Sequence, residues 1–255
     1  MNFTKKQILF IVLCGIFLTN AIVAEIIGGK IFSLENTLGF PPAGIKIFGY
    51  SLDFNMTAGA INWPIVFIIS DIINEYFGVK GVKYISYLTA ILIVYAFFVL
   101  YAASALPPAA FWMDINKLDL QGKPLDINNA YSMILRQGMG IIAGSIIAFL
   151  IGQMVDALVF SKLRQWTSNR MIWLRSTGST IISQLIDSFV VLFIAFYVFG
   201  KWDFAQVMAV SGVNYIYKFT MAVALTPLIY LLHYIIDKYL GDEASHQMIE
   251  KATFN

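Results

Sequence analysis

Six stretches of this chain, about 7–27, 60–77, 82–106, 139–160, 177–199 and 207–236, are long and almost wholly apolar. A helix needs roughly 20 such residues to cross the hydrocarbon core of a bilayer. The pattern predicts an all-α polytopic membrane protein with six transmembrane helices, in one transmembrane domain over residues 1–255. A soluble domain carries about 25% charged residues. Here the share is 13%, with 59% hydrophobic, which excludes an ordinary cytosolic enzyme, a disordered chain and a fibrous repeat.

Basic residues orient the spans, because cytoplasmic segments are enriched in Lys and Arg. With the amino terminus inside, the inner segments hold Lys5, Lys6, Lys80, Lys83, Lys162, Arg164, Arg170, Arg175, Lys238 and Lys251. The outer segments hold Lys30, Lys46, Lys117, Lys123, Arg136 and Lys201. Both termini are then cytoplasmic. Trp63, Trp112 and Trp202 fall at the outer boundary and Trp166 and Trp173 at the inner one, where amphipathic rings are favoured. Lys5-Lys6 before an apolar run also has the form of a secretory signal, with Ala24 as its cleavage point. The length of that run, and Asn20 and Glu25 at its end, favour a span. A net charge of +2 points to no nucleic-acid partner. Cys14, His233 and His246 supply neither a disulfide framework nor a clustered metal site, and no cofactor is expected.

Ionisable groups inside a bilayer cost several kcal/mol unless they are paired or face water. The second stretch carries Asp71, Asn74 and Glu75, at spacings of three and four that share a helix face. The fourth carries Gln153 and Asp156, the fifth Gln184 and Asp187, and the sixth Asn214 and Lys218. The first carries Asn20 and, near its outer end, Glu25. Asp71, Asp187 and Lys218 fall near the midplane; Glu75, Gln153 and Asp156 lie toward the inner side. Four carboxylates against one ammonium would not stay fully ionised in hydrocarbon. The expectation is a polar cavity enclosed by the helices and open to one side at a time. The bland alternative is that these groups, Asn20, Ser145 and Asn214 above all, are helix-to-helix glue, and an ion pair of Lys218 with Asp187 or Asp71 is structural under that reading.

Stretches four and five resemble copies, each with Gly-Ser before Gln-x-x-Asp (Gly144-Ser145 to Asp156, Gly178-Ser179 to Asp187), and are expected to run antiparallel. Gly140, Gly144, Ala148 and Gly152 form a small-residue ladder read as packing. Two outer connections are long. The first, Gly28–Gly59, has partial alternation over Ile45–Phe54 that predicts a short strand or hairpin. The second, Pro107–Gln137, opens with two prolines and carries three aspartates. Both are weighed as lids or as plain solvated loops.

Ala58-Gly59-Ala60-Ile61-Asn62-Trp63-Pro64 and Ser70-Asp71-Ile72-Ile73-Asn74-Glu75-Tyr76-Phe77-Gly78, with Trp173-Leu174-Arg175, Ser183-Gln184-Leu185-Ile186-Asp187, Lys218, Thr226-Pro227 and Tyr230, resemble the queuosine precursor transporter family. This is a vitamin-uptake-like integral membrane family. The resemblance implies a six-helix carrier of the bacterial inner (cytoplasmic) membrane that imports 7-deazaguanines, such as the cyano or aminomethyl form, and is related in shape to the substrate-binding subunits of energy-coupling-factor importers. Coupling to a proton or sodium is expected, and catalysis is not. The residues fit such a solute: a carboxylate accepts from the two adjacent donors of a guanine-like edge, a carboxamide serves its carbonyl and a ring nitrogen, and aromatic rings stack on it. Asp71, Glu75, Gln184 and Asp187 are expected on the substrate, with Gln153 and Asp156 nearby and Asn20, Asn74, Lys218 and Arg175 in support. Two rivals are an intramembrane aspartyl protease, which lacks its Gly-x-Gly-Asp element here, and the binding subunit of an ATP-driven vitamin importer. Against the latter, the first helix has no Ala-x-x-x-Ala docking pattern.

Overall fold

The computed structural model describes residues 3–136, 139, 142–167, 171–198 and 200–253. Gln137, Gly140, Arg170 and Phe199, used in the sequence reading, lie outside the described residues. Helix α1 (Lys5–Ile27) starts at Thr4, which accepts from the Gln7 N–H while the Gln7 side chain accepts from the Thr4 N–H. This reciprocal capping satisfies two otherwise orphaned donors. Leu9, Leu13, Phe17 and Ala21 recur every fourth residue on its buried face. They pack against Val66, Ile69 and Ile73 of α3 (Trp63–Ala105). In lipid such contacts hold by dispersion and close fit rather than by exclusion of water.

Helix α3 has 43 residues, a length of about 64 Å if straight, twice a bilayer core. It is not straight. Gly78 has φ 74° and ψ −178°, outside the helical range. A Cβ placed on Gly81 would stand 3.3 Å from Cγ2 of Ile73 and 2.8 Å from Cβ of Phe77. Residues eight apart on a continuous helix are separated by about 12 Å, so the chain doubles back at Gly78. The two expected stretches, 60–77 and 82–106, are therefore arms of one element joined by a single glycine, with no connecting loop.

The outer segment between α1 and α3 holds β1 (Ile31–Ser33), α2 (Leu34–Leu38), β2 (Ile45–Ile47), β3 (Tyr50–Leu52) and β4 (Asn55–Thr57), then a 3₁₀ turn over Ala58–Ile61. The hairpin expected over 45–54 is present: β2 and β3 pair antiparallel, Ile47 opposite Tyr50. Phe48 and Gly49 between them have φ of 50° and 87°, the doubly positive form that suits a two-residue hairpin turn. Strands β1 and β4 pair antiparallel around it. Tyr50 Oη donates to Asp203, the residue that caps α8 (Phe204–Ala224).

Glu35 of α2 holds this outer cap together, accepting from the Phe54 N–H at 2.7 Å and from Ser33 Oγ at 3.2 Å. The Phe54 N–H above all keeps the Glu35 carboxyl below its ordinary range. A depressed folded-state value stabilises above the ordinary carboxylate pKa of about 4.3, and the gain is lost as pH falls below it. Limited proteolysis of residues 28–59 is expected to accelerate below about pH 4, and E35Q to remove that acid dependence.

In the second outer segment, α4 (Ala110–Ile115) and α5 (Ile127–Arg136) stand beside the end of α3. Arg136 Nε donates to Ser104 Oγ at 2.8 Å and its guanidinium lies over the Tyr101 ring. Helix α6 (Ile142–Trp166) and helix α7 (Ile172–Leu192), which continues as a π-helix over Phe193–Val198, follow. The final expected span, 207–236, is not one rod. Helix α8 ends at Leu225 and α9 (Thr226–Leu240) sets off at 42° to it. Pro227 in the first turn of α9 has no N–H to continue the earlier ladder. Helix α10 (Asp242–Thr253) closes the chain.

Among the described residues, four helices qualify as spans by length and apolar character, five with the bent α8–α9 pair. The expected six counts the arms of α3 separately. Paired contacts give the relative directions. Ser70 meets Gln153 and Asn74 meets Ala157, both 83 residues apart, so the first arm of α3 runs parallel to α6. Tyr76 meets His233 and Tyr217 meets Ala60, both 157 apart, so the same arm runs parallel to α8–α9. Along α6 and α7 the numbers oppose. Asp156 meets Ser183, Gly152 faces Asp187, and Gly144 faces Ala195. These helices are antiparallel, as the alternating orientation of the spans predicts, and Gly144 and Gly152 supply the close approach.

Candidate functional site

A cavity of about 410 Å³ lies between the outer strands and the middle of the helices. Its floor and walls come from α1, the first arm of α3, α6, α7 and α8; Ser51, Leu52, Asp53 and the β4 strand cover it. Of the two long outer segments, only the first lies over it among the described residues. Volumes of 300–1,000 Å³, mostly apolar with a few placed polar groups, are typical of small-molecule sites. Trp63, Phe67, Phe149 and Tyr217 supply the apolar wall. The Trp63 ring lies 5.7 Å from that of Phe149 and 6.0 Å from that of Phe67.

Three of the six residues expected on or near the substrate line this cavity: Asp71, Gln184 and Asp187. Gln184 is 1% exposed, and neither end of its carboxamide has a hydrogen-bond partner. An amide buried and unpartnered in this way costs about 1–3 kcal/mol, and is found where something else completes it. Asp71 is buried and accepts from Ser176 through one oxygen; the other, Oδ1, is unpartnered. Asp187 is half-buried and paired to Lys218, Nζ to Oδ2, at 2.5 Å. Lys218 also lines the cavity, so this ion pair faces its interior.

The other three stand behind the wall. Glu75 is fully buried in an ion pair with Arg175 at 2.5 Å, with Arg164 at 3.9 Å. Gln153 accepts from Ser70 Oγ at 2.7 Å, and Asp156 accepts from Ser183 Oγ at 3.0 Å. None of the three lines the cavity. Of the supporting residues, Asn74 donates to the Ala157 carbonyl and ties α3 to α6. Asn20 donates back to the Ile16 carbonyl of its own helix and does not reach the cavity.

Two arginines counted among the inner-segment charges, of which Arg175 is also expected in support of the site, are buried. Arg164 is 0% exposed and donates to the carbonyls of Asn74, Glu75 and Ala252. Arg175 is 2% exposed and bound to Glu75. Together with Tyr76, which donates to Asp237 at 2.7 Å, they close the end of the bundle opposite the strands. Glu25 is a cavity residue that the sequence reading noted but did not assign; Ser145 donates to it. Its position one turn from the end of α1 was the available signal, and the partner across the cavity was not.

No solved structure matches the chain. A protein of Bacillus subtilis (strain 168) named "Probable queuosine precursor transporter" is 26% identical over 187 residues, 73% of either chain. The "Queuosine precursor transporter" of Escherichia coli (strain K12) is 26% identical over 195 residues, 76% of this chain and 80% of its own. Residues 57–232, which span the cavity-lining helices α3, α6, α7 and α8, match the family described as "Putative vitamin uptake transporter", and the chain belongs to this family of multi-pass membrane transporters.

Proposed function

We propose that this chain imports 7-deazaguanine precursors of queuosine, in the cyano or aminomethyl form, across the bacterial inner membrane. It acts as one ion-coupled carrier domain with six crossings and both ends in the cytoplasm. The observation that carries the reading is the buried Gln184 carboxamide, unpartnered at both ends, beside the free Asp71 oxygen in an aromatic-walled cavity. A deazaguanine offers two adjacent donors for a carboxylate, a carbonyl for an amide N–H, and a flat face for stacking. The half-buried Asp187–Lys218 pair supplies a further carboxylate for a cationic aminomethyl group. The family and the names of the relatives support the substrate class. The reversal at Gly78 and the alternating helix directions support six crossings, and Lys5 donating to the Tyr239 carbonyl supports two chain ends on one side.

The direct test is rescue. A bacterium that neither makes nor imports these precursors is given this chain and fed each deazaguanine in turn, and queuosine in its tRNA is assayed. Queuosine is expected with at least one of them; none with any would overturn the reading. Q184L separates binding from folding. Leucine removes an amide that bonds to nothing in the protein, so thermal stability is expected to hold or rise. Two lost substrate hydrogen bonds, about 2 kcal/mol together, are expected to lower uptake about 30-fold. Wild-type uptake by Q184L would remove Gln184 from the site.

A further inference from the structure

Behind the cavity floor, α3 and α6 bring two carboxyl groups together. The parallel contacts Ser70–Gln153 and Asn74–Ala157 clamp the helices at either side of Asp71 and Asp156. The two carboxyls are close enough to act on each other electrostatically. Asp71 is 2% exposed and Asp156 1%. Helix α7 holds both, Ser176 donating to Asp71 and Ser183, two turns on, to Asp156. After those bonds one oxygen on each acid, Asp71 Oδ1 and Asp156 Oδ2, is left buried with no partner.

Among the described residues, no cation serves this pair. On α3, Glu75 one turn from Asp71 takes Arg175 of α7 and Arg164 of α6. Asp187 of α7 takes Lys218 of α8. Glu25 of α1 is bonded to Ser145 of α6, and on α9 His233 and Asp237 are bonded to Tyr76. Among the described residues, neither Asp71 nor Asp156 has a Lys, Arg or His within ion-pair distance. Two adjacent carboxylates in a dry site without a counter-ion do not both ionise. A metal cation asks for about six oxygens, whereas the serine hydroxyls here donate to the acids and leave one free oxygen on each. Two oxygens suit one hydrogen.

We propose that Asp71 and Asp156 hold a single shared proton, and that this is the ion whose gradient drives uptake. The coupling is built into Asp71, which belongs to both places: it lines the cavity and adjoins Asp156, which does not line it. A substrate that hydrogen-bonds Asp71 from the cavity changes the affinity of the pair for its proton, and by reciprocity the proton changes the affinity for substrate. One proton binds the pair on the outward side, forming an O–H bond, and leaves as the pair opens inward, breaking it; no other bond forms or breaks. This rests on the importer reading for its transport half and on the geometry alone for its proton half.

The test uses two readouts. Purified full-length protein in liposomes is given labelled 7-cyano-7-deazaguanine under an inward proton gradient, under an inward sodium gradient at equal pH, and in counterflow against unlabelled solute. Wild type is expected to accumulate label under the proton gradient alone and to lose that accumulation with a protonophore. D156N, whose side chain lies off the cavity, is expected to lose gradient-driven accumulation at least tenfold while counterflow persists. Accumulation by D156N at the wild-type level, or sodium-driven accumulation by wild type, overturns the coupling. Independently of any substrate, infrared spectra of wild type across neutral pH are expected to show a protonated carboxyl band that disappears in both D71N and D156N. Its absence from wild type overturns the shared proton whether or not the chain carries deazaguanines. Its presence in a protein that fails counterflow keeps the proton site and overturns only the substrate.

Discussion

Arg175→Ala is expected to cost about 3 kcal/mol of stability, the low end of the 3–5 kcal/mol typical when one partner of a buried ion pair is removed. Glu75 is 0% exposed and its Oε1 lies 2.5 Å from Arg175 Nη2, whereas Arg164 stands 3.9 Å off. Alanine leaves the Glu75 charge in a dry interior with only the more distant cation, and opens the volume of the guanidinium beside it. Removing both charges together removes the desolvation penalty of each, so E75L/R175L is expected to recover most of the loss. Thermal unfolding of the purified variants in detergent reads both effects. An R175A protein with wild-type stability would show that the pair contributes nothing and that Glu75 is charged or neutralised by another route.

Gly78→Ala is expected to be as damaging for a different reason. Gly78 sits at φ 74°, ψ −178°, a region essentially closed to residues with a Cβ, at about 1–3 kcal/mol for strain alone. The reversal that this backbone permits is what lays Gly81 against Ile73 and Phe77 and brings the second arm of α3 back along the first. An alanine relaxed into helical geometry at this position would extend the first arm straight on, so the protein either bears the strain or loses the packing between arms. G78A is expected to assemble poorly and to melt well below wild type, whereas G212A on α8, where an added Cβ meets nothing, is expected to melt near it. Equal melting of G78A and wild type would mean that another residue absorbs the turn.

Much of the candidate site was legible before the fold. Polar side chains within apolar runs are expensive enough to be informative one by one, so Asp71, Gln184, Asp187 and Lys218 could be picked out of the sequence, and the structure places these four on one cavity. Spacing alone could not sort a cavity carboxylate from one consumed by a neighbour. Asp71 and Glu75 share a face one turn apart, yet Asp71 lines the cavity and Glu75 is held by two arginines. Sequence position marks those arginines as inner-segment charges, Arg175 with a supporting role as well, and nothing local reveals that both reach Glu75 on another helix. Asn20 failed in the opposite way: its amide is satisfied by its own helix, at the Ile16 carbonyl, an option every helical Asn carries.

The all-helical membrane architecture, the approximate bounds of the apolar stretches and the short outer hairpin follow from local rules. A bilayer demands internally bonded runs of about 20 apolar residues, and alternation with a turn-forming glycine demands a hairpin. Which acids meet, which are neutralised and where a void remains depend on distances between residues 83 or 105 positions apart. Those distances are set by the single-glycine reversal in α3, by the bend before Pro227 and by the glycine contacts of α6 with α7. Charge pairing and cavity shape vary steeply with such distances, and the order of residues along one chain does not contain them.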